Sequence, residues 1–197
     1  MAQRPRGELR IIGGHWRSRR IRFAHEAVRP TPDRVRQKTF DWLAPRIRGA
    51  RVLDVCAGSG AMGLEALSRG AAEVCFVERD RRAAAAIEAA LALLAPAASA
   101  RVAQADAALF LTRPPAEAGY DIAFVDPPYN ADIWATLLPR LGAWMAPEHR
   151  IYIEWPRSAR PDFGVALDWH RESTASQVSF GLASLASGEP PSTGDLA

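Results

Sequence analysis

Residues 121–130, Asp-Ile-Ala-Phe-Val-Asp-Pro-Pro-Tyr-Asn, form an apolar run that ends abruptly on a carboxylate, two prolines and a tyrosine. Such a run reads as a buried strand, and its end is forced. Pro127 and Pro128 have no N–H to give to a sheet ladder, so the chain must turn away after Asp126. Asp126 and Tyr129 are thereby left at the carboxyl end of a strand, the side on which open α/β sheets meet their ligands. A carboxylate, the carbonyl of Pro127 and an aromatic face suit one kind of ligand well. The oxygens can accept hydrogen bonds from an exocyclic amine while the Tyr129 ring stacks on the planar base that carries it. The plainer alternative is an ordinary turn, because Asp-Pro is common at turns.

A nucleotide-like site is expected further upstream. Residues 51–63 read Arg-Val-Leu-Asp-Val-Cys-Ala-Gly-Ser-Gly-Ala-Met-Gly. The pattern predicts a short buried strand over 52–55, a turn at Gly58-Ser59-Gly60, and a helix running through Leu67 to Gly70. Glycines there permit a tight turn and a close approach of backbone to a ligand at the helix amino end. A second strand over 73–77 ends on Glu78, 20 residues after Gly58. A carboxylate at that place can take two ribose hydroxyls. Gly58, Gly60 and Gly63 also satisfy the dinucleotide fingerprint G-x-G-x-x-G, which alone is a weak pattern.

Asp126-Pro127-Pro128-Tyr129 resembles the Asp-Pro-Pro-Tyr motif of amino-group nucleic-acid methyltransferases. Two further features favour S-adenosylmethionine over NAD as the cofactor. Asp54, at the first strand end, resembles the acid that holds the donor's amino-acid end through water or backbone. Asp106, in Val102-Ala-Gln-Ala-Asp-Ala107 after a third strand, resembles the acid that binds the adenine amino group, with Ala107 beside it. The ordinary alternatives are a solvated strand end beside Arg79 for Glu78 and a helix N-cap for Asp106.

Composition sets bounds on this reading. A chain of 197 residues with 48% apolar content supports one domain with a full core. Its longest apolar stretch, residues 83–95, is interrupted by Glu88 and reads as an alanine-rich helix rather than a membrane span. The arginine-bearing amino terminus has no apolar core region of a secretory signal, so a cytoplasmic protein is expected. Cys56 and Cys75 both fall in expected buried strands, which fits a reducing compartment, leaves no Cys/His metal cluster and offers no exposed thiol nucleophile. Methylation of an exocyclic amine needs no covalent help, only orientation and stabilisation of developing charge.

Charge is unevenly placed. Residues 1–38 hold ten arginines and Lys38 against Glu8, Glu26 and Asp33, a balance of +8, so the overall +3 leaves −5 for the remainder. A basic arm on an acidic body is the footprint of a polyanionic partner, and Arg10, Arg17, Arg19, Arg20, Arg34 and Arg36 are its candidate phosphate contacts. A GC-rich genome would explain arginine in place of lysine but not the clustering. Residues 9–21 look like a β-hairpin turned at Gly13-Gly14, with Trp16 either stacking on a base or packing on the body. Beyond it, Thr31 is expected to cap a helix that has Pro32 in its first turn and runs to about Ala44, with Val35, Thr39, Trp42 and Leu43 inward and Arg34 and Lys38 on a neighbouring face.

The Arg-Ile-Ile-Gly-Gly opening, Arg29-Pro30-Thr31-Pro32-Asp33-Arg34-Val35-Arg36, Ala57-Gly58-Ser59-Gly60-Ala61, Gly63-Leu64-Glu65-Ala66-Leu67-Ser68-Arg69-Gly70 and Val125-Asp126-Pro127-Pro128-Tyr129 follow one another as in the RsmD family. That family comprises bacterial 16S rRNA guanine-N2 methyltransferases. The resemblance spans roughly residues 9 to 186, with Gln37-Lys38 departing from the acidic residue common after the arm motif. It implies methylation of the 2-amino group of a guanine in 16S rRNA, within a partly or fully assembled 30S subunit. Asp126 and the Pro127 carbonyl would take the amine, and Tyr129 would stack on the base. A DNA adenine or cytosine amino-methyltransferase uses the same turn, but 197 residues leave no inserted target-recognition domain. A noncatalytic RNA-binding assembly factor would be expected to have lost the Gly58-Ser59-Gly60 or Asp126 turn.

The expected fold is therefore an α/β Rossmann-like class I methyltransferase with a seven-stranded, mostly parallel sheet. Residues 1–45 are read as a basic RNA-binding extension, 46–186 as the methyltransferase domain and 187–197 as a disordered tail. A helix over 132–144, a fifth strand over 150–155 and a final antiparallel pair within 166–185 complete the sheet. Glu154, near the end of the fifth strand, either borders the substrate pocket or is solvated. The protein is expected to act as a monomer.

Overall fold

Apolar runs flanked by turn residues become parallel strands buried on both faces. The computed structural model describes residues 7–23, 31–116, 119–128 and 133–186. Outside an amino-terminal pair, β1 (Gly7–Arg10) and β2 (Arg20–Phe23), the strands form one sheet. Its members are β3 (Arg51–Asp54), β4 (Glu73–Glu78), β5 (Ser99–Gln104), β6 (Tyr120–Val125), β7 (Met145–Pro156), β8 (Leu167–Ala175) and β9 (Val178–Leu185). The spatial order is β5-β4-β3-β6-β7-β9-β8, parallel through β7 and antiparallel for β9 against β7 and β8. This is the Rossmann-like seven-stranded sheet expected from the sequence.

Helices cover both faces, giving three layers around two apolar interiors. On one face α1 (Asp33–Leu43), α2 (Ala61–Ser68) and α3 (Arg81–Leu94) bury Phe40, Leu64 and Ile87 against Phe76, Phe124 and Tyr152. On the other, α4 (Ala107–Phe110), α5 (Trp134–Leu141) and a 3-10 turn (Gly142–Trp144) set Leu137, Leu141 and Trp144 against Leu53, Ala123 and Ile153. The alanine-rich stretch is α3, started by Asp80, whose side chain accepts from the Arg82 and Ala83 amides. No helix among the described residues is long and apolar enough to cross a membrane.

Several boundaries moved for physical reasons. The fifth strand begins at Met145 rather than residue 150, because its first residue pairs with β6 at Tyr120 while Pro147 and Glu148 stay exposed. The helix expected over 132–144 is shorter, α5 ending in the 3-10 turn; residues 129–132 lie outside the described set, as does the expected tail. Thr31 does not cap α1. Pro32 occupies that place with no side-chain capping bond, and its carbonyl accepts from the Val35 and Arg36 amides at 2.9 and 3.0 Å.

The arm's turn is also not a tight Gly-Gly hairpin: β1 and β2 are joined by the loop 11–19. Its glycines are taken up by docking. Gly14, at φ 76°, passes so close to α2 that a Cβ would stand 1.9 Å from the Ser68 carbonyl oxygen. The His15 amide donates to that carbonyl at 2.7 Å, and the Trp16 amide donates to Ser68 Oγ at 2.9 Å. Trp16 is buried on the body. With Val35, Phe40 and Leu43 of α1 fully buried as well, the amino-terminal extension shares the core of the sheet.

Candidate active site

Four strands bring acids to the same edge of the sheet. In spatial order they are Asp106 just beyond β5, Glu78 ending β4, Asp54 ending β3 and Asp126 following β6. The winding reverses between β3 and β6, the place where such sheets open a crevice. Cys56 sits among these acids: burial raises its thiol above its ordinary range, and Asp54, Asp126, Glu78 and Asp106 raise it further. A thiolate nucleophile is therefore strongly disfavoured there.

Backbone bonds shape the loop after β3. Val55 N donates to the Phe124 carbonyl at 3.0 Å, Ala57 N to Val77 at 3.0 Å and Gly60 N to Ala57 at 2.7 Å. Gly58 and Gly60 both adopt left-handed backbone, φ 54° and 74°, and Ser59 between them is half-buried. At Gly60 a Cβ would also press on Ile87 at 3.1 Å, so glycine is required by conformation and by space. Gly63 serves differently. A Cβ there would lie 2.2 Å from the Phe76 ring, so this glycine lets α2 sit close on the sheet.

The acids differ in their surroundings. Glu78 is half-buried rather than a solvated strand end: Oε2 accepts from the Gly58 amide and Oε1 from the Asp80 amide, both at 2.7 Å. Asp54 is buried and accepts from the Gly63 amide at 3.0 Å. Burial pushes its carboxyl up to about 7, against the pull of the Gly63 bond and with a further push from Glu78. Asp106 is exposed and does cap α4, accepting from the Leu109 amide at 3.0 Å, with Ala107 buried as the first helical residue.

Asp126 is partly exposed beyond the β6 end, followed by buried Pro127 and exposed Pro128. Thr31 Oγ1 donates to its Oδ2 at 3.3 Å. Burial first and then Glu154 push the Asp126 carboxyl well above the usual carboxylate range; the Thr31 bond opposes this and Asp54 adds to it. Glu154 is itself buried and accepts from Tyr152 Oη at 2.6 Å, so it is not a solvated strand end. Tyr129 lies outside the described residues.

The arm arginines divide. Arg17, Arg19 and Arg34 are exposed. Arg10 and Arg20 are exposed too but paired, with Asp33 at 3.0 Å and Glu8 at 2.7 Å. Arg36 corrects the expectation of a phosphate contact, being 1% exposed. Its guanidinium donates to the Thr31 and Arg10 carbonyls at 3.2 and 2.8 Å, pairs with Asp33 at 2.6 Å and stands 3.7 Å from Glu65.

Glu65 is the residue that sequence reasoning overlooked. Fully buried in α2, its carboxylate accepts from the Ile12 and Gly13 amides at 2.8 Å each and from Arg69 Nε at 2.8 Å. The available signal was an acid inside an otherwise apolar helix, Gly63-Leu64-Glu65-Ala66-Leu67, which must be partnered if buried. Among the described residues no His, Cys, Asp and Glu group could hold a metal ion.

Similarity to known proteins bears on this geometry. The family model described as "Conserved hypothetical protein 95" matches residues 9–183. The chain is 41% identical over 180 residues to ribosomal RNA small subunit methyltransferase D of Escherichia coli (strain K12), covering 89% of each chain. It belongs to the RsmD family. The protein of the same name from Haemophilus influenzae is 37% identical over 153 residues, 76% of this chain and 79% of that one. A solved structure of yhhF from Escherichia coli superposes with a TM-score of 0.80 at 39% identity, covering 90% of this chain and 97% of that one. RsmD-family membership accounts for the Rossmann-like methyltransferase fold and for both arm motifs, whose glycines and Arg36 anchor the arm to α2.

Proposed function

We propose that this chain transfers a methyl group from S-adenosylmethionine to the exocyclic 2-amino group of a guanine in small-subunit rRNA. The observation that carries the reading is the placement of Asp126 and the Pro127 carbonyl at the β6 end, beside the β3 loop across the switch point of the sheet. The names of the RsmD relatives supply the substrate class.

The residues around the β3 loop fit the donor. Two left-handed glycines leave backbone without side chains at the head of α2, as a ligand lying against that loop requires. Glu78 is placed for ribose hydroxyls, each of its oxygens retaining acceptor capacity beside one amide bond. Asp106 and Ala107 are placed for the adenine, and Asp54 acts through Gly63 and the loop on the amino-acid end. When bound, the donor supplies an electrophilic methyl group on a sulfonium.

The chain's own residues orient the amine. Asp126 Oδ and the Pro127 carbonyl accept from the two amine hydrogens, directing the nitrogen lone pair at the methyl and stabilising positive charge as it develops on nitrogen. Tyr129 stacks on the base. With the donor bound, the amine nitrogen would take the methyl from the sulfonium, which leaves as a neutral thioether, and the proton shed by the methylated amine would pass to Asp126 or to solvent. Thr31, reaching Asp126 from the arm, fixes one carboxylate oxygen. Arg10, Arg17, Arg19, Arg20 and Arg34 hold phosphates, which position the RNA without reading its sequence. The protein acts as a cytoplasmic monomer on 16S rRNA or the assembling 30S subunit.

Labelled methyl transfer tests this reading. Wild-type protein is expected to label small-subunit rRNA or particles and to leave DNA and tRNA unlabelled. Asp126→Ala should lower that rate by several orders of magnitude while donor affinity, measured by calorimetry, stays close to wild type. Transfer to DNA instead, or a fully active Asp126→Ala enzyme, would overturn it.

A further inference from the structure

Where α1 leans on β8, the fold opens a groove of about 470 Å³. Trp42, Leu43 and Leu182 give it an apolar side, and Arg46, Arg150, His170 and Arg171 line it as well. This groove is separate from the Asp126 site. Arg150 pairs opposite Ile122, four residues before Asp126, and at about 3.3 Å per residue that sets it roughly 13 Å down the sheet.

Three guanidiniums meet here with little to neutralise them. Arg46 donates to the Glu148 backbone carbonyl at 3.2 Å but stands 4.0 Å from its carboxylate, which is 90% exposed. Arg150 donates to the His149 carbonyl at 2.7 Å and Arg171 to the His170 carbonyl at 3.4 Å, and neither forms an ion pair among the described residues. Burial and then the neighbouring Arg46 lower the proton affinity of Arg150, against the pull of Glu148. Gathering like charges raises the energy of the free protein, and an anion would relieve it.

The positive charge also has a direction. Lys38 crosses the same seam, donating to Ser173 Oγ of β8 at 2.7 Å and lying 5.6 Å over the Trp42 ring. Arg34, four residues earlier and so on the same side of α1, is exposed near the helix start, three residues after the Thr31 that touches Asp126. Arg34, Lys38 and the groove thus mark a basic line from the mouth of the site along α1.

We propose that this groove is a second phosphodiester site, holding the backbone of the RNA whose target base lies at Asp126. The inference rests on the rRNA reading above and adds a contact surface outside the arm. Guanidiniums match phosphate oxygens in pairs, while the apolar side formed with Trp42 lowers the local dielectric and strengthens each contact. Because guanidiniums address phosphate oxygens rather than base edges, this is a positioning contact, indifferent to sequence.

The test uses the full chain carrying Arg46→Gln with Arg171→Gln, both at exposed positions, and a companion carrying Arg46→Lys with Arg171→Lys. Binding of small-subunit rRNA is measured across a salt series, together with KM and kcat for methyl transfer. The glutamine pair should flatten the log affinity against log salt slope by about 0.7 to 0.9 for each phosphate no longer neutralised. KM for RNA should rise several-fold while kcat at saturating RNA and donor affinity hold, and the lysine pair should regain most of the slope. If wild type methylates rRNA and the glutamine pair keeps its slope and KM, the groove serves something other than RNA, a protein partner included, and the inference falls alone. If wild type neither binds nor methylates small-subunit rRNA, the rRNA reading falls and takes the groove with it.

Discussion

Asp54 and Asp126 are separated in sequence but meet a related physical problem, a carboxylate at a strand end that the fold takes from water, wholly at Asp54 and partly at Asp126. For Asp54 the consequence is a pH-dependent stability. Its carboxyl is raised from 3.8 to about 7, so between those values the folded chain holds a proton that the unfolded chain has released. Its contribution to stability is fully present below about 3.8 and is lost as pH rises through about 7. Asp54→Asn keeps an oxygen for the Gly63 amide and removes the titration. Urea unfolding at pH 5 and pH 8 should show wild type losing on the order of 2–4 kcal/mol more than the variant over that interval. Parallel losses would mean that Asp54 stays ionised in the fold. At this scale much of the site was legible, because an apolar run ending on an acid marks Asp54, Glu78 and Asp126 without any knowledge of contacts. Arg36 was not, since a buried arginine and an exposed one are the same letter and its partner Glu65 lies on another helix.

Elements show why the arm stays where the site needs it. The loop 11–19 is held to α2 by amides on Glu65 and Ser68, and α1 closes over the same carboxylate with Arg36. The sequence pattern placed α1 and α2 correctly but read Gly13-Gly14 as a turn, because a glycine pair looks alike whether it bends a hairpin or lets backbone meet backbone. Glu65→Ala should therefore act on the arm as well as on α2. It leaves the Arg36 guanidinium buried without that partner and two arm amides unsatisfied, a loss of about 3–5 kcal/mol by analogy with other broken buried pairs. Denaturant unfolding reads the stability, and limited proteolysis near residues 11–19 should become faster. An unchanged midpoint with an uncut arm would show that the loop is held by its apolar residues, Ile11 and Trp16, alone.

For the whole molecule, the question is how a basic extension and an acid-edged sheet act on one substrate. Arg17, Arg19 and Arg34 project into solvent, whereas Arg36 is internal, so the two groups should fail differently. Replacing the three exposed arginines by alanine should flatten the salt dependence of RNA binding by about 0.7 to 0.9 for each phosphate released, with unfolding and donor affinity unchanged. Arg36→Ala should instead lower stability. If the exposed triple variant binds RNA with the wild-type slope, the clustering of arginine in the arm reflects composition rather than RNA binding. The seven-stranded, mostly parallel sheet with its antiparallel final pair was readable from the apolar runs, the helices between them and the family resemblance, while the docking of the extension into the shared core depended on packing between residues far apart in the chain.

The most direct test of the account is nucleoside mass spectrometry of small-subunit rRNA from cells with and without the gene, complemented with wild type or with Asp126→Ala. One N2-methylguanosine should disappear in the deletion, return with wild type and stay absent with Asp126→Ala. A mark that persists in the deletion, or a loss found in DNA or tRNA instead, would contradict it.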